Sequence, residues 1–155
     1  MEKQSTFLVT HADAESAVLQ DTSDGQVHTL AANPDLDAND ALEATIASVG
    51  SMELTWEIQE IESRWALTTE HADEPPTKQE REIAATQDEG ELTTRERAGI
   101  GELHVLTVPE DRVESAVADV LDDEATLVRA ARFGVNRVEV RSDAEEGVVS
   151  VRYLP

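Results

Sequence analysis

The chain contains no cysteine, so a disulfide scaffold and thiol chemistry are both excluded. Aromatic residues make up only 3% of it. Lysine is almost absent: Lys3 and Lys78 stand against ten arginines. No apolar run approaches the ~20 residues that a membrane helix needs. The opening segment, Met1-Glu2-Lys3-Gln4-Ser5, lacks the apolar stretch of a secretory signal, so none is expected. What the chain has in excess is acid. Over 155 residues it carries 34 Asp and Glu against 12 Lys and Arg, a formal net charge of −22.

Three explanations of that charge compete. A disordered acidic tail would show no hydrophobic periodicity, whereas periodic segments run along most of this chain. A mimic of nucleic acid would gather its acids on one face, whereas here they are spread from end to end. The third is a protein of a high-salt cytoplasm. Molar salt cuts the Debye length to ~3 Å, which makes self-repulsion of this size tolerable. The reading favoured is this third one. It leaves a nucleic-acid partner open, because the global repulsion would be screened.

Residues 5–67 read as β. Phe7 and Val9 alternate with Leu8 and Thr10, Ala17 to Gln20 makes a second strand, and Asp24-Gly25 signals a hairpin to a third strand, Val27 to Leu30. After a polar loop, Leu42, Ala44 and Ile46 alternate in a fourth. Met52, Leu54, Trp56 and Ile58 then give the clearest period-2 pattern in the chain. The apolar phase slips to odd numbers at Ile61, which predicts a β-bulge near Gln59-Glu60. Five short strands with a bent last strand predict a small antiparallel β-barrel over residues 1–70, OB-like or SH3-like.

Pro75-Pro76 ends that pattern. Thr77 with Glu80 fits a capping box that opens a helix from Lys78 to about Asp88. A second short turn, Thr93 to Ala98, carries another Thr-x-x-Glu pair. Residues 71–100 are therefore expected to be a helical connector. Residues 101–155 read as a β-α-α-β-β unit. Leu103 to Val108 is apolar on both faces, like a buried strand. Val113, Ala116, Val117, Val120 and Leu121 form an amphipathic stripe. Leu127 to Phe133 is a second helix, and Val135–Val140 and Val149–Tyr153 form a closing hairpin. The crossover from Leu103–Val108 has room for a parallel connection. The fold class expected is α+β.

Motifs of catalysis are missing. Gly99-Ile100-Gly101 precedes a strand, whereas a dinucleotide fingerprint follows one and opens a helix. There is no P-loop, no H-E-x-x-H and no G-x-S-x-G. His11 and His28 with Asp13 or Asp21 are the nearest approach to a metal set, and a surface or capping role is preferred for them. No cofactor and no metal are expected. Carboxylate pairs such as Glu57/Glu60 and Glu145/Glu146 are not set apart from the acidic background.

One charge feature stands out. Arg129 and Arg132 share a helix face, and Arg137 and Arg141 alternate with inward valines and are expected to face outward with Glu139. Arg152 on the paired strand joins them. Such a group could hold phosphates. The alternative is internal pairing with Glu139, Glu145 and Glu146 across the hairpin. Trp56 is expected in the core. Trp65, after the phase slip, either closes the end of the barrel or stacks a base.

Five segments carry a resemblance: Thr6-Phe7-Leu8-Val9-Thr10-His11-Ala12-Asp13, Asp24 to Leu30, Glu74-Pro75-Pro76-Thr77-Lys78-Gln79-Glu80-Arg81, Gly101 to Pro109, and Val148 to Pro155. Together they resemble an uncharacterised family of halophilic archaea, a domain of unknown function. The resemblance spans nearly the whole chain. It implies a haloarchaeal cytoplasmic setting and one full-length architecture, and it brings no activity, cofactor or site. From the residues themselves the expectation is a non-enzymatic cytoplasmic binding module for RNA or a ribonucleoprotein. A protein-interaction adaptor is the first alternative and a carboxylate-dependent hydrolase the second. The residues expected to bind are Arg129, Arg132, Arg137, Arg141, Arg152 and Trp65.

Overall fold

A computed structural model describes residues 1–50, 52, 54–97 and 99–155. It is α+β, with ten strands in two five-stranded sheets and three α-helices among the described residues. The chain divides into two compact units. The first takes residues 1–67 with 127–132, and the second takes 68–126 with 133–155.

In the first unit, strands β1 (Glu2–Ala12), β2 (Ala17–Asp21), β3 (Val27–Thr29), β4 (Asp40–Val49) and β5 (Thr55–Ala66) form an antiparallel sheet in the order β3-β2-β1-β4-β5. The alternation that marks these strands in sequence sends Phe7, Val9, Leu19, Leu42, Ile46 and Trp56 into one core. The hairpin at Gly25 forms as expected: its backbone has φ 76°, and its N–H donates to the Asp21 carbonyl. A closed barrel is not found. The two ends of the sheet meet only at a bridge between Leu30 and Trp56, with Ala31 N donating to the Trp56 carbonyl at 2.9 Å. Three residues of β3 are too few to pair along the 12-residue β5.

The bulge in β5 is present, and there are two of them. Ile46 faces Ile58, Thr45 faces Glu60, Ala44 faces Ile61 and Glu43 faces Ser63, so Gln59 and Glu62 are both extra. One bulge would have put Trp56 and Trp65 on the same face. Two put them on opposite faces: Trp56 joins the core, and Trp65 stands across from Ala41, half-buried.

The second unit holds β6 (Thr68–His71), β7 (Leu92–Glu96), β8 (Glu102–Thr107), β9 (Arg137–Asp143) and β10 (Val148–Leu154). Their order is β6-β9-β10-β8-β7, with β6 parallel to β9 and the rest antiparallel. β8 and β9 point the same way, but β10 lies between them, so the expected parallel pair is not adjacent. Helix α1 (Lys78–Ala85) lies on one face of this sheet, where Ala84 and Ile83 pack with Leu103, Val105 and Val148. Helix α2 (Val113–Asp122) packs on β9, β10 and β6. Helix α3 (Glu124–Phe133) follows, and its residues 127–132 belong with the first unit.

The stretch 71–100, expected as a helical connector, contributes to the second sheet. It supplies the end of one edge strand, a packed helix and the whole of the other edge strand. The expected helical turn at Thr93–Ala98 is strand β7 from Thr93 to Glu96; Ala98 lies outside the described residues. Its Thr-x-x-Glu pair is overridden by pairing with β8. No helix among the described residues is long and apolar enough to cross a membrane.

Candidate anion-binding cleft

The site is built on a row of side chains that crosses four strands of the second sheet. Glu139 on β9 pairs with Arg152 on β10, Arg152 with Leu103 on β8, and Leu103 with Arg95 on β7. Directly paired residues project to one face, so all four share the face that carries α1. The adjacent row, Arg141, Ser150, Val105 and Thr93, shares it too.

Helix α1 sits there because its first turn is locked to the sheet. The capping box forms as the sequence predicts: Glu80 N donates to Thr77 Oγ1 at 3.2 Å, and Thr77 N donates to Glu80 Oε1 at 3.1 Å. The same carboxylate accepts from Ser150 Oγ at 2.8 Å, and its Oε2 is 3.7 Å from Arg152 Nε. Glu80 is 1% exposed. A carboxylate buried that deeply is tolerated only when paired and hydrogen-bonded, and Arg152 provides the charge.

Arg152 also donates to Glu139 Oε1 at 2.7 Å, and Arg141 Nε donates to the same oxygen at 2.6 Å. Glu139 is buried rather than outward-facing. Burial alone would raise its pKa; the hydrogen bonds and charges of the two arginines outweigh that and hold it below its ordinary value. A general acid needs the opposite shift.

The five arginines expected as one group are thus in different circumstances. Arg141 and Arg152 come together, around Glu139, as the internal-pairing alternative has it. Arg137 is exposed and 3.9 Å from Glu70. Arg129 and Arg132 lie on α3 within the first unit. Of the other two acids named for pairing, Glu146 bonds Arg81 at 3.4 Å instead. Trp65 is half-buried on β5 of the first unit.

The sequence reading missed Arg95 and Arg97. A cleft of about 270 Å³ is lined by Arg95, Glu96, Arg97 and Arg152, with Leu103 and with Thr77, Gln79 and Glu80 at the start of α1. β7 ends at Glu96, which pairs with Glu102, and Glu96 lines the cleft between Arg95 and Arg97. Arg97 continues the ladder, its N–H donating to the Gly101 carbonyl. Arg95 Nη1 donates to the Thr94 carbonyl at 3.2 Å, and Arg97 Nη1 to the Ile100 carbonyl at 3.4 Å. Among the described residues, neither has a carboxylate within ion-pair distance. The available signal was Thr93-Thr94-Arg95-Glu96-Arg97 followed by Gly99-x-Gly101, an alternating run closed by a hairpin turn.

A second polar cluster lies in the first unit. Lys3 Nζ is 2.8 Å from Asp21 Oδ2, 2.7 Å from Asp24 Oδ2 and 3.1 Å from His28 Nε2. Burial works against the charge on Lys3, yet the two aspartates raise its pKa. Burial likewise opposes the Asp21 charge, but bonds from Lys3, Ser23 and Ser5 hold it far below the usual carboxylate range. His28 is pushed down by burial and by the Lys3 charge. In the cluster one lysine serves two aspartates, and it fastens β1 to the β2–β3 hairpin. His11 pairs instead with Asp13, at 3.5 Å on the surface. Among the described residues, no group of three or more His, Asp or Glu is placed to hold a metal.

No curated protein and no solved structure matches the chain. One family model matches residues 3–142.

Proposed function

The chain belongs to the family of unknown function DUF5812, and from its own geometry we propose that it is a non-enzymatic binding module that holds RNA by its phosphates through the cleft of the second unit. The observation that supports this reading is the convergence of Arg95, Arg97 and Arg152 on one cleft, which Glu80 and Glu96 also line; among the described residues, no carboxylate is within ion-pair distance of Arg95 or Arg97. Each guanidinium presents five N–H donors in a planar fork suited to phosphate oxygens. Among the described residues, no aromatic side chain lines the cleft, so the reading involves no base stacking there. Binding by phosphates alone is indifferent to sequence.

The finer readings of the sequence belong to this proposal. The acid excess suits a haloarchaeal cytoplasm, and the first unit, whose sheet curls until Leu30 meets Trp56, is the scaffold of an OB-like or SH3-like barrel. One observation favours a protein partner as the second reading: β7 is an outer strand, and a free strand edge is a template for an added peptide strand.

The test is fluorescence anisotropy of a labelled single-stranded RNA, run against the wild type and the Arg95→Ala/Arg97→Ala double variant at one KCl concentration. The double variant is expected to bind about tenfold more weakly or worse. Its log–log salt slope should be shallower by about 1.4, since two phosphate contacts are lost at ~0.7 each. RNA that does not bind, or that binds both proteins equally, overturns the proposal. Capture from native lysate with and without nuclease separates the two readings: partners that persist after nuclease favour the adaptor.

A further inference from the structure

We infer that β7 is an edge for self-association: a second copy of this chain adds its own β7 antiparallel, about a twofold axis at Thr93, and Glu91 of each copy then faces Arg95 of the other. The inference rests on the second reading above, strand addition at β7, and commits to the occupant. Three observations carry it.

The first is the free edge. β7 is the last strand of its sheet, and four of its five residues are exposed. Toward β8 the ladder uses odd-numbered residues: Thr107 N donates to the Glu91 carbonyl, and Arg97 N donates to the Gly101 carbonyl. Backbone groups alternate in direction along a strand, so Leu92, Thr94 and Glu96 turn theirs away from β8. An outward row of this kind is a template for another strand.

The second is charge. Glu91-Leu92-Thr93-Thr94-Arg95 carries its acid two residues before Thr93 and its base two residues after. Both side chains are exposed. Glu91 Oε1 accepts from Asp88 N at 3.1 Å, and Arg95 Nη1 donates to the Thr94 carbonyl at 3.2 Å. Among the described residues, Glu91 has no cation and Arg95 no carboxylate within ion-pair distance.

The third is register. With the axis at Thr93, Leu92 of one copy and Thr94 of the other exchange backbone hydrogen bonds through groups that already point outward. Glu91 and Arg95 then form a non-hydrogen-bonded pair, the kind whose side chains stand closest, with Cα atoms about 4.5 Å apart. Opposite charges set directly across attract, and the twofold makes two such pairs. An axis at Thr94 would set Arg95 against Thr93, and an axis at Arg95 would set it against its own copy. Leu92, 54% exposed in the single chain, is covered by Thr94 of the other copy.

The experiment is sedimentation equilibrium of the full chain, free of RNA, in molar KCl, where the general repulsion between two acidic copies is screened. It extends to about 1 mM chain, because so short a ladder makes a small interface. The wild type is expected to dimerise. Arg95→Glu and Glu91→Arg, each alone, are expected to weaken the dimer about tenfold or more, since attraction becomes like-charge repulsion at both pairs. The double variant Glu91→Arg/Arg95→Glu is expected to recover it. Circular dichroism checks that each variant folds, and either single reversal suffices for the comparison. A chain that stays monomeric, a dimer indifferent to both reversals, or a double variant that recovers nothing overturns the inference. Thr94→Pro, which removes an outward N–H, separates that failure from the failure of strand addition itself. If the chain is monomeric but Thr94→Pro loses a partner captured from nuclease-treated lysate, the inference fails and the adaptor reading survives. If the chain is monomeric and Thr94→Pro loses nothing, both fail.

Discussion

At the scale of single residues, Arg152 is the hinge of the second unit's polar interior. It neutralises Glu80, which caps α1, and shares Glu139 with Arg141. Removing one partner of a buried ion pair costs roughly 3–5 kcal/mol, because the carboxylate left behind has lost both water and counter-charge. Arg152→Ala is therefore expected to lower stability to denaturant by about that amount. The pH dependence has a definite sign. Glu139 has a folded pKa below the ordinary 4.5, so its stabilising contribution is present above 4.5 and is lost as pH falls through the folded value. The gap between wild type and variant should shrink in acid, where protonated carboxyls no longer need the guanidinium. A gap that stays constant from pH 7 to pH 3 would refute this account.

At the scale of elements, the β7–β8 hairpin decides where Arg95 and Arg97 point. Its turn brings Gly101 against β10: a Cβ built there would lie 2.1 Å from the Tyr153 carbonyl oxygen, and its φ is +99°. The glycine that in sequence suggested half of a dinucleotide motif is required by this close backbone approach. Gly101→Ala must displace β10 or the hairpin. Strain of this kind costs of order 1–3 kcal/mol, so the melting temperature should drop by several degrees. A variant that melts with the wild type would show that the hairpin adapts freely. Elsewhere the elements follow local chemistry closely. The Thr77–Glu80 capping box, the Asp24-Gly25 turn and the apolar stripe of α2 all form where the residues place them. The misread segment is β7. Its threonines suit a strand or a helix start equally, and only the partner β8, reached across the Gly99–Gly101 turn, selects the strand.

At the scale of the whole molecule, the excess of 22 negative charges sets the conditions of folding. Several of the ten arginines are absorbed in ion pairs with acids, Arg64 with Asp37 and Asp40 and Arg81 with Asp143 and Glu146 among them. The remaining acids repel one another over a Debye length of about 10 Å at 0.1 M salt, against ~3 Å at 1 M. The melting temperature is expected to rise steeply between low and molar KCl. Equal values in both would remove the high-salt reading of the composition.

Period-2 and period-3.6 hydrophobic patterns act between near neighbours, so the strands of the first sheet, the three helices and the closing hairpin of the second were determined by the sequence alone. So were the Thr77–Glu80 cap and the Asp24-Gly25 turn. Three matters were decided only by the tertiary structure. One is whether the first sheet closes, which depends on the reach of a three-residue strand toward β5. Another is the second bulge at Glu62, which turns Trp65 away from Trp56 and leaves no trace in the alternation once the first has shifted it. The last is the cleft itself. Arg95 and Leu103 lie on one hairpin and Glu139 and Arg152 on another, and the two pairs meet in one row only because β10 pairs with β8. Which arginines are neutralised and which are left for a ligand follows from that order, since an ion pair depends on distance in space, and strand order is set by long-range pairing that no local pattern encodes.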